Sequence, residues 1–256
     1  MRTIILAGGL GTRLAEETES RPKPMIEIGN RPILWHIMQH YATYWFTEFV
    51  VALGYKSEIV KRYFVEHSRL SGSMSVNLAS GEVIQHDSPG ENWTVHLINT
   101  GLDTNTGGRV RRLREWIAGD TFMLTYGDGV SDIDLQALLR FHRAHGKLAT
   151  VTAVRPPARF GGLEFDGDLV RAFTEKPQTG EGWINGGFFV FEPSILDLIG
   201  GDSDSLESDV LPRLVNRGQL AAYRHDKFWQ CMDTLRDKRY LESLWQEGRA
   251  PWRACA

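Results

Sequence analysis

The chemistry to look for begins with two cations placed after a glycine run. Gly8, Gly9 and Gly11 lead into Thr12 and Arg13, and Lys23 stands ten positions beyond Arg13, between Pro22 and Pro24. Without a Cβ, glycine lets the backbone turn tightly and come close to a ligand. The N–H groups of such a loop form a concavity for anions. Arg13 adds a forked, permanently charged donor set suited to phosphate oxygens. The prolines restrict the segment that presents the Lys23 ammonium group. A glycine loop with two cations points to a nucleoside triphosphate.

Carboxylates supply the second half of the chemistry. Asp128 lies between Gly127 and Gly129, and Asp233 precedes Thr234. Magnesium commonly takes one or two protein carboxylates together with phosphates, which is the role open to both aspartates. The plainer readings are a turn for Asp128, since Asp-Gly is a frequent turn pair, and a helix N-cap for Asp233 or Thr234. Beside a triphosphate loop the metal role is favoured for Asp128. Glu175, Lys176 and Asn185 sit near glycines and aromatics. Carboxylate and amide suit sugar hydroxyls, and lysine suits a phosphate. A second loop rich in glycine and hydroxyl groups runs from Asn99 to Arg109 and opens a helix. A loop of small residues at a helix N-terminus accommodates anions, and Arg109 at its edge is the better ligand candidate there.

Two familiar phosphate loops do not fit. A P-loop carries Gly-Lys-Ser/Thr after its last glycine, whereas Thr12-Arg13 follows Gly11. A dinucleotide fingerprint ends on a small residue for close helix–strand packing, whereas Leu14 stands there.

Alternating strands and helices must position these groups. The apolar run Thr3 to Ala7 reads as a buried strand, because it lacks polar alternation. Ile33, Leu34, Ile37, Met38 and Tyr41 recur at helical spacing after Pro32, as on one buried helix face. His36 and His40 share that helix at i, i+4, but without the H-E-x-x-H acid between them they read as structural. Glu48 to Leu53 reads as a second buried strand and Ser57 to Phe64 as a helix. This βαβα order implies parallel strands with right-handed crossovers. The stretch from Leu70 to Thr100 holds short β-like pieces and reads as an excursion from the main sheet. Further strands are expected at Thr121 to Thr125, Ala149 to Val154 and Phe188 to Phe191, helices at Leu135 to His145, Ser194 to Ile199 and Leu206 to Val215, and a hairpin turning at Asp166-Gly167. Ligands bind outside the carboxyl ends of strands in open α/β sheets, which places Asp128 at the site.

The 256 residues fit one α/β domain, read as spanning 1–256 with the excursion at about 70–100. A hydrophobic content of 42% and a charged content of 24% are those of a globular chain. A net charge of −3 gives no general attraction to nucleic acid. No apolar run approaches the ~20 residues of a membrane span, and no signal-peptide pattern opens the chain. Cys231 and Cys255 are the only cysteines, so no disulfide framework is implied. A cytoplasmic protein is expected.

Leu6-Ala7-Gly8-Gly9-Leu10-Gly11-Thr12-Arg13-Leu14, with Lys23-Pro24-Met25, resembles the signature of sugar-phosphate nucleotidyltransferases. Tyr126-Gly127-Asp128-Gly129, Phe173-Thr174-Glu175-Lys176-Pro177, Ile184-Asn185-Gly186-Gly187-Phe188 and Met232-Asp233-Thr234, with Thr100 to Arg109, resemble its cytidylyl branch, which joins CTP to glucose 1-phosphate. The resemblance implies a Rossmann-like, mixed but mostly parallel sheet flanked by helices, with CTP and magnesium (Mg2+) at the glycine loop. It implies that Gly8, Gly9, Gly11, Thr12 and Arg13 wrap the nucleotide, beside Leu6, Ala7 and Gly127. Lys23 then neutralises phosphate, Thr104 and Arg109 contact CTP, and Asp128 and Asp233 hold the metal. Glu175, Lys176, Asn185 and Gly186 face the sugar phosphate. Arg13, Lys23 and Asp128 carry the catalysis. A homo-oligomer is also implied. Phosphate motifs do not read the base, so UTP or dTTP stays open, as does a non-catalytic sugar-nucleotide sensor on the same fold.

Overall fold

Thr3–Ala7 is buried along its whole length and forms β1, an interior strand of a seven-stranded sheet. The computed structural model describes all residues except 12–13, 88–89, 118, 157–161, 167–168, 175–181 and 254–256. The other strands of the sheet are β2 (Glu48–Leu53), β3 (Thr94–Asn99), β4 (Phe122–Tyr126), β5 (Ala149–Val154), β6 (Ile184–Phe191) and β7 (Leu220–His225). Their spatial order is β7-β5-β6-β4-β1-β2-β3. β6 runs antiparallel to both of its neighbours, and every other pairing is parallel. This is the mixed, mostly parallel sheet expected from the sequence.

Side chains alternate across the sheet. Ile5 and Ala7 join one apolar cluster, with Ile37, Tyr41, Leu138 and Leu241. Ile4 and Leu6 join the other, with Val110, Leu113, Ile195 and Leu206. The first cluster takes its helical residues from α1 (Ile33–Thr43), α2 (Ser57–Leu70), α4 (Leu135–His145) and α5 (Leu235–Gln246), and the second from α3 (Thr106–Arg112) and short helical turns. Both faces are covered, which is why β1 and β2 are apolar after their first residues, Thr3 and Glu48. His36 and His40 are structural: each bonds a backbone carbonyl, of Ile28 at 2.8 Å and Ile133 at 2.9 Å. Burial lowers both imidazoles to about 4, so they are neutral near pH 7.

The chain builds outward from β1 through β2 to β3, then returns to the other side of β1 with β4. The carboxyl ends of β1 and β4 therefore flank a topological switch point, where open α/β sheets bind ligands. One boundary differs from the sequence expectation. Met74–Val76 and Val83–Gln85 do form a separate hairpin, but Thr94–Asn99 is the edge strand β3 of the main sheet, paired in parallel with β2. Its partly exposed residues gave it the mixed pattern of an excursion. The hairpin Gly162–Asp166 with Leu169–Thr174 forms as expected. Among the described residues no helix is long and apolar enough to cross a membrane.

Candidate active site

A cavity of about 530 Å³ opens at the switch point. Leu6, Ala7, Gly8, Gly9 and Gly11 line it from β1 and the turn that follows. Thr104, Asn105, Thr106 and Arg109 close one side, and Tyr126, Gly127 and Asp128 enter from the end of β4. Lys23, Gly186, Gly187, Trp229, Cys231 and Asp233 add to the lining.

Lys23 and two aspartates form the charged centre. The Lys23 ammonium donates to Asp128 Oδ2 at 2.7 Å and to Asp233 Oδ1 at 2.5 Å. Burial works against the lysine charge, but the two carboxylates outweigh it and raise its pKa above the ordinary 10.5. Sequence-distant residues meet here because Gly129–Ser131 pairs antiparallel with Trp229–Cys231. Beyond that ladder the Met232 amide donates to the Asp128 carbonyl at 2.8 Å. Thr234, not Asp233, caps α5: its hydroxyl accepts from the Asp237 amide, and the Asp237 carboxylate accepts from the Thr234 amide at 2.8 Å. The Asp233 side chain is turned instead toward Lys23. One cation already reaches both carboxylates, so the pair fits a hard divalent ion that prefers oxygen ligands.

Arg109 lines the cavity but is engaged as a brace. Its guanidinium donates to the carbonyls of Gly8 (3.0 Å), Leu53 (3.2 Å), Gly101 (2.6 Å) and Leu102 (3.1 Å), and to Thr100 Oγ1 (2.8 Å). Three loops at the carboxyl ends of β1, β2 and β3 are thereby tied to one side chain. A Cβ on Gly8 would lie 2.3 Å from this guanidinium, so only glycine fits there.

The nucleotidyl transferase family matches the chain over residues 2–245. The chain belongs to this family. Among curated nucleotidyl transferases, the glucose-1-phosphate cytidylyltransferase of Salmonella typhi is 48% identical over 254 residues, covering 99% of each chain. The probable glucose-1-phosphate cytidylyltransferase of Bacillus subtilis (strain 168) is 39% identical at the same coverage. Two solved structures share the fold. HddC from Yersinia pseudotuberculosis has a TM-score of 0.71 at 24% identity, over 95% of this chain and 99% of that one. A UDP-glucose pyrophosphorylase complexed with UDP-glucose has a TM-score of 0.68 at 14% identity, over 97% and 99%.

In this nucleotidyl transferase the cavity gathers Leu6, Ala7, Gly8, Gly9, Gly11, Lys23, Thr104, Arg109, Gly127, Asp128, Gly186 and Asp233 from the residues singled out in sequence. Thr12, Arg13, Glu175 and Lys176 lie outside the described residues. Asn185 stands at the rim, where its Nδ2 donates to the Tyr126 hydroxyl at 3.2 Å and its Oδ1 accepts from the Gly187 amide at 2.8 Å. Sequence reasoning missed Tyr126, Thr106, Trp229 and Cys231 as lining residues. Trp229 Nε1 donates to the Gly186 carbonyl at 2.7 Å and so fixes the start of β6. Tyr126 and Trp229 were visible as large residues beside Asp128 and Asp233, but only the ladder between their segments turns that adjacency into a wall. Burial, then Asp233 and Asp128, push the Cys231 thiol up to about 12. It is protonated at neutral pH and no nucleophile.

Proposed function

We propose that this chain transfers CMP from CTP to α-D-glucose 1-phosphate, giving CDP-glucose and pyrophosphate. The observation that carries this reading is the Lys23–Asp128–Asp233 cluster, which lines one cavity together with the glycine loop at the switch point. End-to-end similarity at 48% identity to a glucose-1-phosphate cytidylyltransferase supports the choice of CTP and glucose 1-phosphate.

A phosphate oxygen of glucose 1-phosphate attacks the α-phosphorus of CTP, and pyrophosphate leaves. The attacking phosphate is already an anion and needs no strong general base. The barrier comes from repulsion between anions and from charge on the leaving group. The amides of Gly8, Gly9 and Gly11 and the charges of Arg13 and Lys23 hold the triphosphate in line and offset that charge. Thr104 contacts the nucleotide beside the brace that Arg109 forms. Glu175, Lys176, Asn185 and Gly186 take the sugar phosphate. Asp128 and Asp233 hold magnesium, which when bound supplies positive charge to the phosphates.

The reaction uses cytoplasmic metabolites, and we place the chain in the cytoplasm as a homo-oligomer. Pyrophosphate release with magnesium and glucose 1-phosphate, compared across CTP, UTP, dTTP and GTP, tests the assignment. Strong preference for CTP is expected. Release with another nucleotide alone would overturn the cytidylyl assignment, and release with none would overturn the transferase.

A further inference from the structure

The hydroxyl of Tyr126 is held by a network that the fold does not require. Tyr126 ends β4, between the glycine loop after β1 and the bulged first residues of β6, Asn185–Gly187. Its ring lies against Gly187, where the φ of +79° suits glycine and a Cβ would stand 2.5 Å from the ring. Phe189 meets the ring edge-on, with centroids 5.9 Å apart. The hydroxyl donates to a Glu207 carboxylate oxygen and accepts from Asn185 Nδ2. The Glu207 carboxylate also accepts from Thr106 Oγ1 at 2.6 Å and Ser205 Oγ at 2.7 Å.

A carboxylate only accepts. The proton of Tyr126 therefore has one destination, and its oxygen has one fixed neighbour in Asn185. Burial works against the Glu207 charge, yet its three hydroxyl donors hold its pKa below the ordinary value. Thr106 already ties the Glu207 turn to α3, donating to the Glu207 carboxylate and accepting from the Leu206 amide at 2.8 Å, so stability alone does not call for a further donor from the cavity wall. The turn itself, Leu206–Val210, is a single π-helical turn, a form that concentrates at functional sites.

We propose that Tyr126 is a specificity-determining residue for the hexose of the sugar phosphate, and that Glu207 is the positioning residue that fixes its hydroxyl. This rests on the function proposed above. With the triphosphate on the Gly8–Gly11 loop, the cavity across β4, walled by Tyr126, Gly186 and Gly187, is left for the hexose. A hydroxyl of fixed orientation distinguishes sugar epimers, because an epimer moves the partner group away. A freely rotating hydroxyl follows the partner and discriminates less.

Steady-state pyrophosphate release tests this with wild type, Tyr126→Phe, Glu207→Gln and the double variant. The substrates are CTP with glucose 1-phosphate, galactose 1-phosphate or mannose 1-phosphate. Each single variant is expected to raise the KM for glucose 1-phosphate by roughly 3–10-fold, the effect of one lost hydrogen bond. The KM for CTP stays within about twofold, and the preference over the epimers narrows. The double variant is no worse than either single one, because both act through one hydroxyl. Melting temperatures close to wild type separate this from unfolding. An unmoved sugar KM in Tyr126→Phe overturns the inference, as does a rise confined to the KM for CTP. Additive effects in the double variant remove Glu207 from the positioning role. Wild-type protein that releases no pyrophosphate with any of the three sugar phosphates overturns the functional reading instead.

Discussion

Lys23 holds two carboxylates that would otherwise repel each other across the cavity. Water reaches Asp128, whose side chain is 30% exposed, more than it reaches Lys23 at 11%. Lys23→Met is therefore expected to cost about 2–3 kcal/mol, below the roughly 3–5 kcal/mol of a fully buried broken pair. The sign with pH follows from the raised lysine pKa. The folded value lies above the unfolded one, so the stabilisation is fully present below about 10.5 and is lost as pH rises through the folded value. Denaturant unfolding from pH 8 to pH 12 should show a wild-type advantage over Lys23→Met that is constant at first and then fades. An advantage that grows with pH would contradict the arrangement. Asp128→Ala makes the complementary case. Lys23 keeps Asp233, so the fold is retained, while kcat falls by roughly 10³-fold. Circular dichroism with kinetics at saturating magnesium checks both halves, and undiminished turnover would remove Asp128 from the metal site.

The elements matter because each charged group is aimed by a neighbour that does no chemistry. Asp237 accepts from the amides of Asp233 (3.1 Å) and Thr234 (2.8 Å), and so fixes the backbone from which Asp233 projects. Asp237→Ala should cost about 1 kcal/mol through the lost cap and lower kcat without touching substrate. A normal kcat at reduced melting temperature would confine Asp237 to stability. Arg109→Lys should cost roughly 2 kcal/mol, because an ammonium group lacks the planar fork that spans these carbonyls. It should also raise the KM for CTP, since the Gly8 carbonyl is no longer held. Melting curves and CTP titration read the two effects. Much of this scaffold was legible in the sequence: the apolar run of β1, the helical spacing in α1 and the span of α4 all follow from local periodicity. The ladder between Gly129–Ser131 and Trp229–Cys231 was not, because short strands far apart in sequence carry no local sign of their pairing. The role of Arg109 was half legible. A cation beside a glycine loop signals a ligand site, but whether its fork meets a phosphate or a set of carbonyls is decided by three loops converging in space.

At the scale of the molecule, the sheet puts its site at the carboxyl ends of β1 and β4 and leaves an apolar hairpin elsewhere. Met74–Val76 and Val83–Gln85 extend from the main sheet, and Leu78 is 93% exposed with Val83 at 60% and Ile84 at 51%. Their neighbour Val76 is also exposed. Val76 and Val83 are cross-strand partners on one face and Ile84 lies on the other, so both faces of this small hairpin expose apolar side chains, a pattern that marks association sites more often than scattered single residues do. A two-stranded hairpin is marginal by itself, so a partner that buries these side chains would also stabilise the hairpin. A second copy of this chain is the occupant consistent with the homo-oligomer proposed above. Leu78→Asp combined with Ile84→Lys places charge on the patch while leaving the sheet core untouched. Sedimentation velocity should then show wild type above the mass of one chain and the double variant as a monomer. A variant that keeps the wild-type mass would take the hairpin out of the interface. If the hairpin also reaches a neighbour's cavity, the monomer loses turnover at unchanged circular dichroism. If it only assembles the oligomer, the monomer keeps its kcat, and the two roles separate in one preparation.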